Sequence, residues 1–269
     1  MLRDNFESDD PWILGGGASG VVTQYDETSV IKGYISYREG RLAAFREGYE
    51  TDEELKKRNA REREIYERLS TNPDLKILKY YGAVELEPGH FGIRLEWAKN
   101  RDLRTFIRKN RGEDHPFEQR LGWVIDIANT LQGMHSMGVI HSDFSCRNIM
   151  VTEDLSLKIG DFDGSQLDDK PPMSCAEPWY EILPRGRKFN DIPLMKKELF
   201  ALGCGIYEVM AWKKPCGDLD HNAVTKAYER EELPAIDDVP CADVIRKCWD
   251  EEFETAGEIA AALRAYRKE

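Results

Sequence analysis

Two regimes of hydrophobic patterning divide the chain. In its first hundred residues, short runs rich in β-branched and aromatic side chains are separated by turn residues. Val21-Val22-Thr23-Gln24-Tyr25 and Ser29-Val30-Ile31-Lys32 flank Asp26-Glu27-Thr28, which predicts a β-hairpin. Lys76–Leu86 and Phe91–Trp97 read as two further strands around Pro88-Gly89 and, with Trp12-Ile13-Leu14 leading into Gly15, complete a five-stranded antiparallel sheet. Between these pairs, residues 36–69 are rich in Glu, Arg and Lys. Leu42, Phe45, Leu55, Ile65 and Leu69 recur there at helical spacing, which predicts one or two amphipathic helices, with an extra helix inside 38–60.

From Leu103 onward the period turns helical. Trp123, Ile127, Leu131 and His135 mark one face of a long helix that stops near Gly138, a natural C-terminal residue. Glu198–Val209 reads as a buried helix. Ile149-Met150-Val151 and Leu155–Ile159 interrupt this regime as two short strands around Thr152-Glu153-Asp154. Sheet first and helices after predict an α+β protein, and no internal repeat is present.

Composition narrows the functional classes. With 41% hydrophobic and 33% charged residues, the 269-residue chain has the make-up of a soluble globular protein able to bury a sizeable core. Fifty acidic against 38 basic residues give a net charge of −12, which argues against nucleic acid or an anionic membrane as partner. The N-terminus lacks an apolar leader and no apolar run reaches membrane-spanning length. Six cysteines without a CxxC pair are expected to be reduced thiols of a cytoplasmic or nuclear protein. The five histidines lack zinc-ligand spacing.

Candidate chemistry lies in two places. Gly15, Gly17, Gly20 and Val22 fit G-x-G-x-x-G-x-V. A strand and Val-Ile-Lys follow instead of a helix, so the loop is a hairpin and not a dinucleotide fingerprint. Further on, Asp143 precedes Asn148 by five residues and Asp161 by eighteen, with the short strand pair between Asn148 and Asp161. A hairpin with Asp and Asn at its entrance and Asp at its exit gathers three oxygen donors, the ligand type Mg²⁺ prefers.

These residues resemble the protein kinases, whose catalytic loop runs H-R-D-L-x-x-x-N and whose metal-binding triplet is D-F-G. The resemblance covers about residues 11–265. It implies a bilobal α+β fold in a single domain: an N-lobe of about 11–97, a hinge at 96–102 and a mainly helical C-lobe of about 103–265. It further implies that Gly15, Gly17, Gly20 and Val22 cover ATP and that Lys32, paired with Glu62, grips its phosphates. Glu62 is the helical glutamate best placed, because Ile65 and Leu69 follow at the family's apolar positions; Glu64 would point away. Glu96 and Ala98 would meet adenine through backbone, with Leu95 in the gatekeeper position, and Asp102 would reach the ribose. Asn148 and Asp161 would hold Mg²⁺, Asp143 would accept the proton of the attacking hydroxyl, and Arg147 stands where tyrosine kinases carry a cation. The combination is similar to that of divergent kinase-domain proteins of fungi.

The implied activity is transfer of the ATP γ-phosphate to a protein hydroxyl by a monomer. An interaction scaffold is one alternative, and a small-molecule kinase similar to the aminoglycoside and choline kinases is another. Ser142 in place of arginine removes the usual clamp on a phosphorylated activation segment, here the loop Gly164–Arg185. Asp163 adds a carboxylate where the family has glycine. Arg185 replaces the glutamate that closes the segment, so an inverted ion pair with Glu254 is expected. Cys146 and His141 lack a third orienting group, so His141 is expected to be a packed structural side chain.

Overall fold

The computed structural model describes residues 13–17, 20–33, 52–87, 90–111 and 115–267. They fall into two compact units. The first comprises the chain up to Pro73, Leu78–Trp97 and Asp161–Gly164; the second comprises Asp74–Ile77, Ala98–Gly160 and the chain from Ser165 on.

The sheet unit holds strands β1 (Ile13–Gly17), β2 (Gly20–Gln24), β3 (Ser29–Gly33), β4 (Tyr80–Glu87) and β5 (His90–Glu96) in the order β1-β2-β3-β5-β4. All neighbours are antiparallel, as the strand patterns predict. Among the described residues one helix, α1 (Asp52–Leu69), belongs to this unit. Leu55, Glu62, Ile65, Tyr66 and Leu69 are its fully buried side chains; the steps of seven from Leu55 to Glu62, three and four from Glu62 to Ile65 and Tyr66, and four from Ile65 to Leu69 trace a single helical face. Its first half absorbs residues 52–60 of the charge-rich segment, while the extra helix expected from 38 onward lies largely outside the described residues. β4 begins at Tyr80, four residues later than expected. Lys76 and Ile77 serve the second unit instead, where Ile159 donates to the Lys76 carbonyl at 2.8 Å.

The helical unit is built around α3 (Phe117–Ser136) and α4 (Leu194–Ala211). The others are α2 (Leu103–Lys109), α5 (His221–Glu229), α6 (Ala242–Trp249) and α7 (Ala256–Arg264). Asp102, Asp220 and Thr255 cap α2, α5 and α7 by accepting backbone N–H groups that lack a partner inside the helix. Trp123 and Trp212 stack with ring centroids 6.3 Å apart, and Phe106 and His115 complete that aromatic cluster. Two short antiparallel pairs lie in this unit: β6 (Val139–Ile140) with β9 (Gln166–Leu167), and β7 (Ile149–Val151) with β8 (Leu157–Ile159). No helix among the described residues is long and apolar enough to cross a membrane. None of the six cysteines forms a disulfide.

α4 lies close enough to α6 that a Cβ on Gly203 would stand 2.5 Å from the Cβ of Cys248, an atom fixed to the α6 backbone. A Cβ on Gly133 would instead meet the tip of Leu75, a flexible side chain, at 2.3 Å. Gly203→Ala is therefore expected to cost about 1–3 kcal/mol by forcing the helices apart. Gly133→Ala should come out near neutral, because the helix propensity of alanine, worth up to about 1 kcal/mol, offsets the adjustment. Denaturant midpoints of the two variants check the contrast.

The inverted ion pair needs correction. Arg185 donates to the Trp249 carbonyl at 2.9 Å and pairs with Asp250 and Glu251, whereas Glu254 pairs with Lys196. The guanidinium sits at the C-terminal end of α6, where unsatisfied carbonyls favour a cation; Glu254 lies beyond, in the approach to α7.

Candidate active site

In the sheet unit, Lys32 projects from β3 into a cluster of carboxylates. Its Nζ lies 2.8 Å from Glu62 of α1, 2.5 Å from Asp161 and 3.4 Å from Asp163. Burial opposes the ammonium charge, but Asp161, Glu62 and Asp163 outweigh it and hold the lysine protonated well above its ordinary range. Glu62 is fully buried. That burial, with Asp163 and Asp161 alongside, pushes its carboxyl up to about 7 against the pull of Lys32. The Phe162 N–H donates to Glu62 Oε1 at 3.2 Å, and the Phe162 ring meets Tyr66 edge-on at 4.9 Å. The Lys32–Glu62 pair expected from sequence is therefore formed. Among the described residues the carboxylates gathered there are Glu62, Asp161 and Asp163.

β1 and β2 bring the glycines into register, with Gly15 opposite Val22 and Gly17 opposite Gly20. The tip of this loop, residues 18–19, is outside the described residues. Leu95 is buried opposite Val30 on the central strand, and Glu96 exchanges contacts with Lys79 by backbone at 2.9 Å and side chain at 3.2 Å.

In the helical unit, the β7–β8 hairpin pairs Ile149 with Ile159, and Gly160 donates to the Asn148 carbonyl at 2.9 Å. Asn148 Nδ2 donates to the Asp143 carbonyl at 2.6 Å. That bond assigns the amide nitrogen and leaves Oδ1 as an acceptor, the oxygen type suited to a hard divalent cation. Asp143 is half-buried and stands immediately before Phe144. Ala98 accepts from Arg101 at 3.0 Å, and Asp102 caps α2 with Oδ1 on the Thr105 N–H at 2.8 Å.

The loop carrying Asp143 is held from below by α4. Glu198 Oε1 accepts from the His141 N–H at 3.1 Å, and Oε2 from the Ser142 N–H at 2.7 Å. His135 Nε2 lies 2.8 Å from Oε1. Ser142 has φ of 69°, a left-handed backbone that serine seldom adopts, and the Glu198 bond pins it there. Burial pushes the Glu198 carboxyl up, but His135, His141 and the Ser142 N–H outweigh it and hold it below the ordinary range. His141 is fully buried with Nε2 on the Gly160 carbonyl at 3.0 Å, a structural role as expected. Burial drives the Cys146 thiol well above its ordinary value, which disfavours a thiolate nucleophile.

Arg147 is drawn into a buried network that the sequence does not announce. Its Nε lies 3.3 Å from Glu177, which also pairs with Arg104 at 2.6 Å; Arg104 in turn pairs with Glu208 at 2.8 Å, and Tyr180 donates to Glu208 at 2.7 Å. Burial raises the Glu177 carboxyl, but Arg104 and then Arg147 outweigh it and hold it low. Beside this loop a cleft of about 150 Å³ is lined by Phe144, Cys175, Glu181, Ile182 and Lys197 among others. Arg58 is a further site residue that sequence reasoning missed; it pairs with Asp163 at 3.5 Å.

A model of the protein kinase domain matches residues 13–263. The RGS domain-containing serine/threonine-protein kinase A of Dictyostelium discoideum is 28% identical over 184 residues, 65% of this chain and 16% of that protein. Ephrin type-A receptor 5 of Gallus gallus is 28% identical over 169 residues, 60% of this chain and 17% of that protein. The serine/threonine-protein kinase RUNKEL of Arabidopsis thaliana is 29% identical over 165 residues, 60% of this chain and 12% of that protein. This chain thus matches between 12% and 17% of the length of these relatives.

Proposed function

The chain belongs to the protein kinase family, matched from residue 13 to 263, and from that premise we propose that it transfers the γ-phosphoryl group of ATP to a protein hydroxyl. An antiparallel-sheet unit carrying α1 and a larger, mainly helical unit are the parts that this membership predicts.

One observation carries the reading: Lys32 is held, charged, by Glu62 and Asp161. A scaffold has no need to keep one ammonium inside three carboxylates, whereas phosphoryl transfer needs a fixed cation for oxygen charge. The backbone of Gly15, Gly17 and Gly20 would approach the phosphates without Cβ interference. Val22, Glu96, Ala98 and Asp102 would line the nucleoside. Asp102 would offer the ribose the oxygen not committed to its helix cap.

The donor set fits Mg²⁺, since Asp161 and Asn148 contribute oxygen only, and the Asn148 amide is already oriented by Asp143. Bound Mg²⁺-ATP supplies the phosphoryl group and the neutralisation of its oxygens. Asp143 would orient the acceptor hydroxyl and take its proton, on a backbone that Glu198 holds. Arg147 would act chiefly by fixing Glu177 and the loop, since its charge is engaged there.

Incubation with Mg²⁺-ATP and a mixed peptide library, alongside Asp143→Asn, tests the proposal. Loss of the general base is expected to lower transfer about 10²–10⁴-fold with ATP binding retained. Equal incorporation by both proteins sinks the catalytic reading. Binding of ATP without transfer by the wild type makes the chain a scaffold.

A further inference from the structure

Arg58, Glu62 and Tyr66 are spaced four residues apart on α1 and share one face. They meet three consecutive residues in reverse order. Arg58 Nη1 lies 3.5 Å from Asp163 Oδ1, Glu62 accepts the Phe162 N–H, Tyr66 packs on the Phe162 ring, and Glu62 reaches Asp161 through Lys32. The two oxygens of Asp163 are thereby divided, Oδ1 toward Arg58 and Oδ2 3.4 Å from Lys32. Both side chains of the Arg58–Asp163 pair are largely buried, 16% and 13% exposed.

Resting on the phosphotransfer reading above, we infer that Arg58 is a positioning residue that neutralises Asp163 and so leaves Lys32 to Glu62 and Asp161. With Arg58 in place, two cations face three carboxylates. Without it, Lys32 faces all three, and the Asp163 oxygen at 3.4 Å contests the ammonium that phosphates would require. The same side chain ties segment 161–163 to α1, so the carboxylate proposed for the metal and the helix that fixes Lys32 move as one body. One departure from the family pattern thus has a local answer: the aspartate in place of glycine is tolerated because an arginine one turn before Glu62 pairs with it.

The test uses four full-length proteins: wild type, Arg58→Leu, Asp163→Ala and the double variant. Two readouts are taken, Mg²⁺-ATP affinity by nucleotide titration and hydrogen exchange at the Phe162 amide without nucleotide. Arg58→Leu is expected to weaken affinity about tenfold and to speed exchange at Phe162 by a similar factor. Adding Asp163→Ala should return both to within about threefold of wild type, because the charge needing an answer is gone. A salt bridge that only adds stability would leave affinity unchanged in Arg58→Leu or give losses that sum in the double variant; either result overturns the inference. Absence of ATP binding by the wild type overturns the phosphotransfer reading instead, and the exchange rates then decide the role of Arg58 alone.

Discussion

Lys32→Met is expected to abolish phosphoryl transfer and, in the same step, to destabilise the sheet unit. The first effect follows from losing the cation proposed for the phosphates. The second follows from what remains: Glu62, Asp161 and Asp163 share a mostly buried space, where the Arg58–Asp163 pair offsets one of the three charges. Removing one member of a buried ionic cluster costs about 3–5 kcal/mol, because the stranded charges lose solvent and gain nothing in return. Uptake of a proton by Glu62, whose carboxyl already sits at about 7, absorbs part of that cost at neutral pH. Lys32→Met/Asp163→Asn should recover stability without recovering transfer. Equilibrium unfolding with parallel ³²P incorporation checks both halves, and a Lys32→Met protein as stable as wild type would contradict the electrostatic account.

Glu198→Ala carries the second large effect. The substitution leaves the buried His141 and Ser142 N–H groups without their acceptor, and each such loss costs about 1–3 kcal/mol. It also releases Ser142 from its left-handed backbone, one residue before Asp143. A loss of about 3–5 kcal/mol in the helical unit is expected, with transfer reduced beyond what the folded fraction accounts for. The Glu198 carboxyl is held below its unfolded value, so its contribution is present at neutral pH and is lost as pH falls below about 4. Acid unfolding of Glu198→Gln should accordingly be flatter in that range than that of the wild type. Identical acid profiles would show that Glu198 does not act through its charge.

Much of this arrangement is legible in the chain because it is local or periodic. Val30-Ile31-Lys32 in a strand and Asn148 at the mouth of a short hairpin follow from spacing, and Glu62, three and seven residues ahead of Ile65 and Leu69, follows from that spacing read against the resemblance. What escaped is long-range charge. Nothing near Arg147 announces Glu177, thirty residues on, nor does Arg104 point to Glu208. Such pairs form only after α2, α4 and the intervening loop have packed, and any of the chain's fifty acidic residues could have been the partner. Arg185 illustrates the cost: its charge calls for a carboxylate partner, but Asp250 and Glu251, not Glu254, lie at the carbonyl end of α6. The strand expected from Lys76 failed for a related reason, since Lys76 and Ile77 find backbone partners at Ile159 instead.

The placement of the indoles has an optical consequence. Trp123, Trp179, Trp212 and Trp249 lie in the helical unit, while Trp97 is the tryptophan of the sheet unit among the described residues. Trp249 Nε1 stands 3.3 Å from the Cys204 thiol, a contact-range quencher of indole emission, and Trp123 and Trp212 are stacked. Emission from the helical unit is therefore expected to brighten where Trp249 parts from Cys204, a change separable from any shift of Trp97 in the sheet unit around Lys32.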